Sequence, residues 1–380
     1  MRLMLVTTEG LEDITVKEAS LILGRRVFIP PGLKGKVIVE KCSPLDVVKA
    51  NYMLRTVSRV LILLKSSKVK RGRKGLEEMY KEALRVDWEE YFDKNVTFAV
   101  RPKRHGEHEY TSIDIGRWVG QAIVDFFSRE IKVNLDNPSI IIRTYVIDET
   151  FLLCIDTTGD EALHKRRYRV YEHPSPLKPT MASSMLMLAN WTFKDSLLDP
   201  FCGSGTIPIE ACLYALKVPA GYLRKKEYSF WPLKIIDKQA AIELMRKLDQ
   251  GIVKNVELKV AGCDISSKHV EGARLNAKKA GVNPKFFVYD ARRIDRLKLD
   301  VDVVITNPPY GIRSSRPCYV RSLYRDFLRA LKEKEVKRAC IITGSPEFMD
   351  EAVKMVDFHI EEIRYVMYGK LPSRIYVLKS

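Results

Sequence analysis

Val301-Asp302-Val303-Val304-Ile305-Thr306 is an apolar, largely β-branched run that stops against Asn307, Pro308, Pro309 and Tyr310. Such a run fits a strand buried on both faces, the way strands of a parallel sheet read. The prolines lack a backbone donor and hold their predecessors extended, so the strand must end abruptly and leave Asn307 at its carboxyl edge. That edge is where open α/β sheets bind ligands. Further strands are expected at Ser196–Asp199, Val260–Asp264, Phe286–Asp290 and Arg338–Thr343, with helices between and a closing hairpin from Ile363–Tyr368 and Arg374–Leu378. The alternation predicts an α/β, doubly wound sheet of seven mainly parallel strands with an antiparallel edge.

Asp199, Asp264 and Asp290 end three consecutive strands of this set. Carboxylates so placed project into one crevice, where one can accept ribose hydroxyls and another an adenine amino group. Each alone reads equally well as a helix cap. Between the first strand and its helix lies Pro200-Phe201-Cys202-Gly203-Ser204-Gly205-Thr206, whose glycines allow a tight turn and whose helix start offers free N–H groups. A dinucleotide loop would carry three glycines and an acid some 20 residues on, and a Walker loop would end in Gly-Lys-Ser/Thr; neither is present. The three acids, the glycine loop and the Asn-Pro-Pro-Tyr motif on the fourth strand together mark a site for S-adenosylmethionine.

An exocyclic amine on a nucleobase is a poor nucleophile, because its lone pair is delocalised into the ring. If the Asn307 side-chain oxygen and the Pro308 carbonyl each accept one N–H, the nitrogen can pyramidalise toward a methyl donor. Positioning and electrostatic preorganisation then carry most of the catalysis. Tyr310 would stack on the base, which has to leave its helix to reach the site.

The N-terminal half reads as small α+β units rich in basic side chains. Lys65–Lys74 holds Lys68, Lys70, Arg71 and Arg73; a strand at Val96–Val100 runs into Arg101, Lys103 and Arg104; Lys165, Arg166 and Arg167 interleave with tyrosines before a proline-rich linker. A solvated loop explains Lys65–Lys74 about as well as phosphate contact does, and the basic residues among tyrosines suit phosphate contact and base stacking while the prolines suit an extended linker. The formal charge of +17 and pI near 9.4 tilt the balance toward a polyanionic partner. Seven scattered cysteines form no Cys-x-x-Cys, so neither zinc nor a disulfide framework is indicated. Apolar runs fall short of the ~18 residues of a membrane helix and the N-terminus turns polar early, so a cytoplasmic location is expected. The boundaries expected are 1–65, 66–160, a linker and docking helix at 161–192, and 193–380.

Asp199–Thr206, Asn307–Gly311 and the linker His164–Thr180 together resemble the THUMP-domain RNA methyltransferases that make N2-methylguanosine. Size and domain order look most like the archaeal tRNA enzymes of that family that act at acceptor-stem position 6; relatives acting at tRNA position 10 and on large-subunit rRNA share the motifs. Separately, a monomer without an obligate protein partner is expected. The resemblance implies an N-terminal ferredoxin-like part, a THUMP domain that reads tRNA, and a Rossmann-fold catalytic domain. It implies that Pro179, Thr180, Asp199, Phe201, Gly203, Ser204, Gly205, Thr206, Asp264, Ile265, Asp290, Ala291 and Asn307 surround the cofactor, and that Arg313 joins the basic residues on the RNA. A DNA or protein methylase, and a non-catalytic RNA-binding protein with a degenerate cofactor fold, are the alternatives.

Overall fold

Leu3 and Leu5 turn to one face of their strand and Met4 to the other, and each side joins its own apolar cluster, as the two-residue period of a strand requires. The computed structural model describes residues 1–254, 256–311, 317–369 and 371–379. Its contacts divide the chain into two units. The first comprises Met1–Thr7, Val16–Leu163 and Arg224–Leu248; the second comprises Thr8–Thr15, His164–Leu223 and Asp249–Ser380.

The first unit is built on an eight-stranded mixed sheet in the order β2 (Val27–Phe28), β3 (Lys36–Val39), β1 (Leu3–Val6), β4 (Arg59–Lys68), β8 (Thr150–Asp156), β7 (Ile140–Ile147), β5 (Thr97–His105), β6 (Lys132–Val133). Helices α1 (Glu12–Leu23, from Val16 onward), α2 (Pro44–Met53), α3 (Lys74–Leu84) and α4 (Ser112–Phe126) supply apolar side chains to the larger cluster. Ser43 with Asp46 and Thr111 with Asp114 form capping boxes that start α2 and α4, each cap contributing about 1 kcal/mol. Lys65–Lys68, read as part of a basic loop, instead continue β4 against β8, and the strand expected to end at Val100 runs on through Arg101–His105 against β7. Backbone pairing with a neighbour decides this, and local charge carries no signal of it.

Residues 224–248, placed by sequence order inside the catalytic half, belong to this first unit. Tyr228, Phe230, Leu233, Ile236 and Met245 join its main apolar cluster. The Tyr228 hydroxyl donates to the Asn51 carbonyl, and the Arg224 guanidinium donates to the carbonyls of Thr158, Glu161 and Ala162.

In the second unit seven strands follow the order β11 (Lys285–Val288), β10 (Val260–Asp264), β9 (Leu197–Asp199), β12 (Val303–Thr306), β13 (Arg338–Thr343), β15 (Leu371–Lys379), β14 (His359–Tyr368). The first five pair in parallel; β15 runs antiparallel between β13 and β14, so the antiparallel strand lies one place in from the edge. On one face Leu197, Val303, Ile305 and Cys340 meet α5 (Pro179–Leu188), α6 (Thr206–Ala215) and α8 (Ser267–Ala280). On the other, Leu198, Val304 and Ile341 meet α9 (Pro317–Glu333) and α10 (Pro346–Val356). The remaining helix, α7 (Lys238–Gln250), runs from the first unit into the second. Strand order reverses between β9 and β12, which makes their carboxyl ends the switch point of the sheet.

Thr8–Thr15 cover the edge strand β14. The Met367 amide donates to the Glu9 carbonyl, the Arg364 guanidinium takes both Asp13 oxygens at 3.0 and 2.9 Å, and Leu11 and Ile14 enter the core. Gly10 has φ +91°, and a Cβ there would lie 2.0 Å from the Tyr365 carbonyl oxygen. This close approach keeps the chain non-helical at Gly10, and α1 begins only at Glu12. Among the described residues no helix is long and apolar enough to cross a membrane.

Candidate active site

Asp199 ends β9 at the switch point and is almost completely buried. Its Oδ1 accepts the Thr306 hydroxyl at 2.6 Å and the Phe201 amide at 3.2 Å. Thr306 is the last residue of β12, so one hydrogen bond ties the glycine-loop strand to the strand that carries Asn307. Burial, reinforced by the nearby Asp264 carboxylate and opposed by these hydrogen bonds, pushes the Asp199 carboxyl up to about 7.

Past Asp199 the chain turns through Gly203 (φ +50°) and Gly205 (φ +78°), the latter capping α6. A Cβ on Gly205 would stand 2.8 Å from the Phe286 ring and 2.9 Å from Ala273, so the loop can pack this closely only without a side chain. The Gly203 amide donates to Asp264 Oδ2 at 3.0 Å, and Asp264 Oδ1 accepts the Ser266 amide at 2.9 Å. Asp264 therefore orders the loop while lone pairs remain for a ligand. Asp290 lies two residues beyond β11 and caps a 3₁₀ turn that starts at Ala291; its carboxylate is gripped by the Arg292 guanidinium, which holds it below the usual carboxylate range. Ser204, Thr206 and Ala291 are buried, and Ile265 is exposed beside the crevice. Burial and the Asp199 and Asp264 charges push the Cys202 thiol far up, which denies this loop a thiolate nucleophile at neutral pH.

Asn307 Oδ1 accepts the Tyr310 hydroxyl at 2.5 Å. Behind the motif, the Tyr324 hydroxyl donates to the Pro309 carbonyl at 2.9 Å and contacts Thr343 Oγ1 at 2.8 Å, and Ser345 Oγ donates to the Tyr310 carbonyl at 2.6 Å. The Tyr310 ring lies over Gly344, where a Cβ would approach it to 2.8 Å. The end of β13 is thus a cradle for the tetrapeptide. Thr343, Gly344, Ser345 and Tyr324 escape sequence reasoning, because a strand end and a mid-helix tyrosine carry no local mark of what they touch.

Pro179 and Thr180 open α5 and are buried; just before them the Lys178 amide donates to the Tyr368 hydroxyl, which donates to the Pro176 carbonyl. Upstream, Asn276 ties this linker to the glycine loop: its Oδ1 accepts the Val170 and Tyr171 amides, and its Nδ2 donates to the carbonyls of Tyr171 and Ser204.

The basic residues divide. Lys68, Lys70, Arg71, Arg73, Lys103, Lys165 and Arg167 are exposed. Arg101 and Arg104 are partly covered and, three residues apart on β5, project to opposite faces of the sheet. Arg313 lies outside the described residues. Arg166 is corrected: only 8% exposed, it pairs with the fully buried Glu210, which also accepts the Tyr168 and Ser183 hydroxyls. The linker alternates, with 166 and 168 inward and 165 and 167 outward. A basic run looks uniform in sequence and hides this. Arg166→Gln is therefore expected to lower stability by about 3–5 kcal/mol in denaturant titrations, since it strands a buried carboxylate.

Residues 166–373 match the family model for the RMKL-like methyltransferase domain and residues 73–156 that for the THUMP domain. The tRNA (guanine(6)-N2)-methyltransferase of Methanocaldococcus jannaschii is 39% identical over 97% of both chains. The enzyme of the same name from Archaeoglobus fulgidus is 36% identical over 99% of this chain and 92% of its own. The crystal structure of SMU.472 complexed with SAH superposes with a TM-score of 0.87 at 24% identity, covering 100% of this chain and 98% of the other. With a glycine loop, strand-end carboxylates and an Asn-Pro-Pro-Tyr motif converging at one switch point, the chain belongs to the RMKL-like methyltransferases that carry a THUMP domain.

Proposed function

We propose that this protein methylates the exocyclic N2 of a guanosine in tRNA, at acceptor-stem position 6, with S-adenosylmethionine as donor. The observation that carries the chemistry is the Thr306–Asp199 hydrogen bond, which holds the acceptor motif against the cofactor loop. The glycine cradle and a buried acid awaiting a cation suit a ligand that combines a nucleoside with an ammonium group. The choice of guanine and of its position is supported by the names of the two archaeal relatives.

S-adenosylmethionine supplies an electrophilic methyl group on sulfur. The protein's task is to aim a weak nucleophile at it. Of the motif's carbonyls, Pro309 is committed to Tyr324 and Tyr310 to Ser345, whereas Pro308 has no donor among the described residues. Pro308 and the Asn307 side chain are then the pair that accepts the two N–H groups of the base. The amine takes the place of the Tyr310 hydroxyl on Asn307 Oδ1, and the freed phenol ring stacks on the base. Localising the nitrogen lone pair in this way is electrostatic preorganisation. No strong base is needed, because the nitrogen becomes acidic once it has been alkylated. Asp264 is assigned to the ribose and Asp199 to the ammonium group. Asp290 is assigned to adenine through the lone pairs that Arg292 leaves.

Lys165 and Arg167, with Lys68, Lys70, Arg71, Arg73, Lys103 and the partly covered Arg101 and Arg104, are assigned to RNA phosphates. Neutralising Lys165 and Arg167 together is expected to reduce the slope of log K against log salt by about 1–2 for tRNA. An unchanged slope removes the linker from the RNA surface. The reading as a whole is tested with unmodified tRNA transcripts and labelled methyl donor, followed by digestion to nucleosides. N2-methylguanosine mapped to position 6 is the expected product; N6-methyladenosine, or no transfer to tRNA, overturns it.

A further inference from the structure

We infer that His173 binds the cofactor, its imidazole Nε2–H donating to a ribose hydroxyl that also meets Asp264. The local sequence fixes the ring first. Pro174 has no N–H to give, so the nearest following amide able to turn back toward the ring is that of Ser175, and it donates to His173 Nδ1 at 3.1 Å. A nitrogen that accepts cannot carry the proton, so the neutral ring holds its hydrogen on Nε2. Burial and the adjoining His269 push the ring below the ordinary imidazole range, which keeps it neutral at neutral pH. The half-buried ring leaves Nε2 open to solvent, with no acceptor among the described residues.

Contacts place that donor. Measured from where a Cβ on Gly203 would stand, the nearest atoms are His173 Cδ2, Cγ and Nε2, at 3.5, 3.5 and 3.8 Å, so the Nε2 edge of the ring lies against the glycine loop. The Gly203 amide donates to Asp264 Oδ2, Asp264 Oδ1 accepts the Ser266 amide, and Ser266 caps α8, where its Oγ takes the His269 amide at 3.4 Å. The His269 ring meets the His173 ring edge to face, with 4.3 Å between centroids. Gly203, Asp264, Ser266, His269 and His173 so form a closed circuit of contacts, in which Asp264 is the one acid. His269 is held in turn. Its Nδ1 hydrogen-bonds the Tyr171 hydroxyl at 2.7 Å, and Tyr171 packs on Gly272 so closely that a Cβ there would come within 2.1 Å of the ring. Asn276 fastens the Tyr171 backbone, two residues before His173. The imidazole is therefore set in place before any ligand arrives, which limits the ordering cost of binding. Charge then selects the ligand group. An anion, whether a carboxylate or an RNA phosphate, would be repelled by Asp264, and a cation gains nothing from an N–H donor. A hydroxyl suits both: it gives its proton to the carboxylate and takes the imidazole N–H on its oxygen.

This inference rests on the reading of the crevice as an S-adenosylmethionine site with Asp264 on the ribose, and the test separates the two. The probes are S-adenosylhomocysteine and its 2′-deoxy and 3′-deoxy analogues, titrated by calorimetry into the wild type, His173→Asn and His173→Gln. Asparagine offers an oxygen where Nδ1 stood, so it can keep the Ser175 bond but lacks the Nε2–H. Glutamine reaches further and can return an N–H to that place. The asparagine variant is expected to lose about 5–10-fold in affinity for S-adenosylhomocysteine, and less than about twofold for at least one deoxy analogue, the one lacking the hydroxyl that His173 serves. The glutamine variant is expected to bind S-adenosylhomocysteine within about threefold of the wild type. Nitrogen-15 spectra of histidine-labelled wild type give a check that needs no variant: the His173 hydrogen is expected on Nε2, with its resonance moved by S-adenosylhomocysteine. Equal loss for all three probes, loss for none, or a hydrogen found on Nδ1 overturns the inference. A wild type that binds none of the probes overturns the cofactor reading itself.

Discussion

Asn307→Ala is expected to lower methyl transfer by at least about 10³-fold while leaving affinity for S-adenosylhomocysteine within about twofold. Among the described residues the Asn307 side chain is hydrogen-bonded to Tyr310, whereas the cofactor loop is organised by Asp199, Asp264 and Asn276. Single-turnover rates on tRNA and calorimetry with the product cofactor check the two halves of this statement. Loss of cofactor binding in the variant would show that the motif is a structural turn. Tyr310→Phe sharpens the contrast. It keeps the ring that covers the base and removes the hydroxyl that competes for Asn307 Oδ1, so transfer should survive, whereas Tyr310→Ala should lose it.

Asp199→Asn should part stability from function. The folded-state pKa of about 7 lies above the unfolded value near 3.8, so the folded chain holds this proton more tightly than the unfolded chain. The group's contribution is therefore most favourable below about pH 4 and is lost as pH rises toward 7. At pH 8 the wild type bears the full cost of a buried carboxylate, on the order of 2–4 kcal/mol. The asparagine variant, spared that cost, should be more stable at pH 8 and nearly equal to the wild type at pH 4, as measured by denaturant titration. The same change removes the group proposed to pair with the cofactor's ammonium and should weaken S-adenosylhomocysteine binding by about 100-fold. For the wild type, this affinity should fall with decreasing pH below 7, approaching tenfold per unit, because binding requires the ionised carboxylate. Equal stability at pH 8, with a pH-independent affinity, would place the proton elsewhere.

Much of the catalytic sheet could be read in advance because its signals are local. A β-branched run ending in two prolines marks β12 by itself, and Asp199 and Asp264 sit where periodicity changes from strand to helix. The unread parts depend on partners far away in the chain. Arg166 looks like its neighbours until Glu210, 44 residues later, is seen to face it. Residues 224–248 join the first unit through Tyr228, Phe230 and Met245, and an aromatic-rich insertion gives no indication of which core it will enter. Asp290 was placed at a strand end, but whether its oxygens are open depends on Arg292, whose guanidinium folds back on them. Tyr324 and Ser345, which fix the backbone of the acceptor motif, lie on elements that sequence can outline but cannot connect.

Thr8–Thr15 and the edge of β14 bear on any attempt to isolate the catalytic half. Cutting the chain at the start of the methyltransferase-family match would discard Gly10, Leu11, Asp13 and Ile14, which belong to that unit although they come first in sequence. The fragment would be left with an uncovered edge strand, an Arg364 that keeps Glu362 but has lost Asp13, and a gap in its core. Bare edges recruit strands from other molecules. A soluble, singly dispersed catalytic fragment would need the opening residues joined back to it, and a truncation without them would report the behaviour of aggregates.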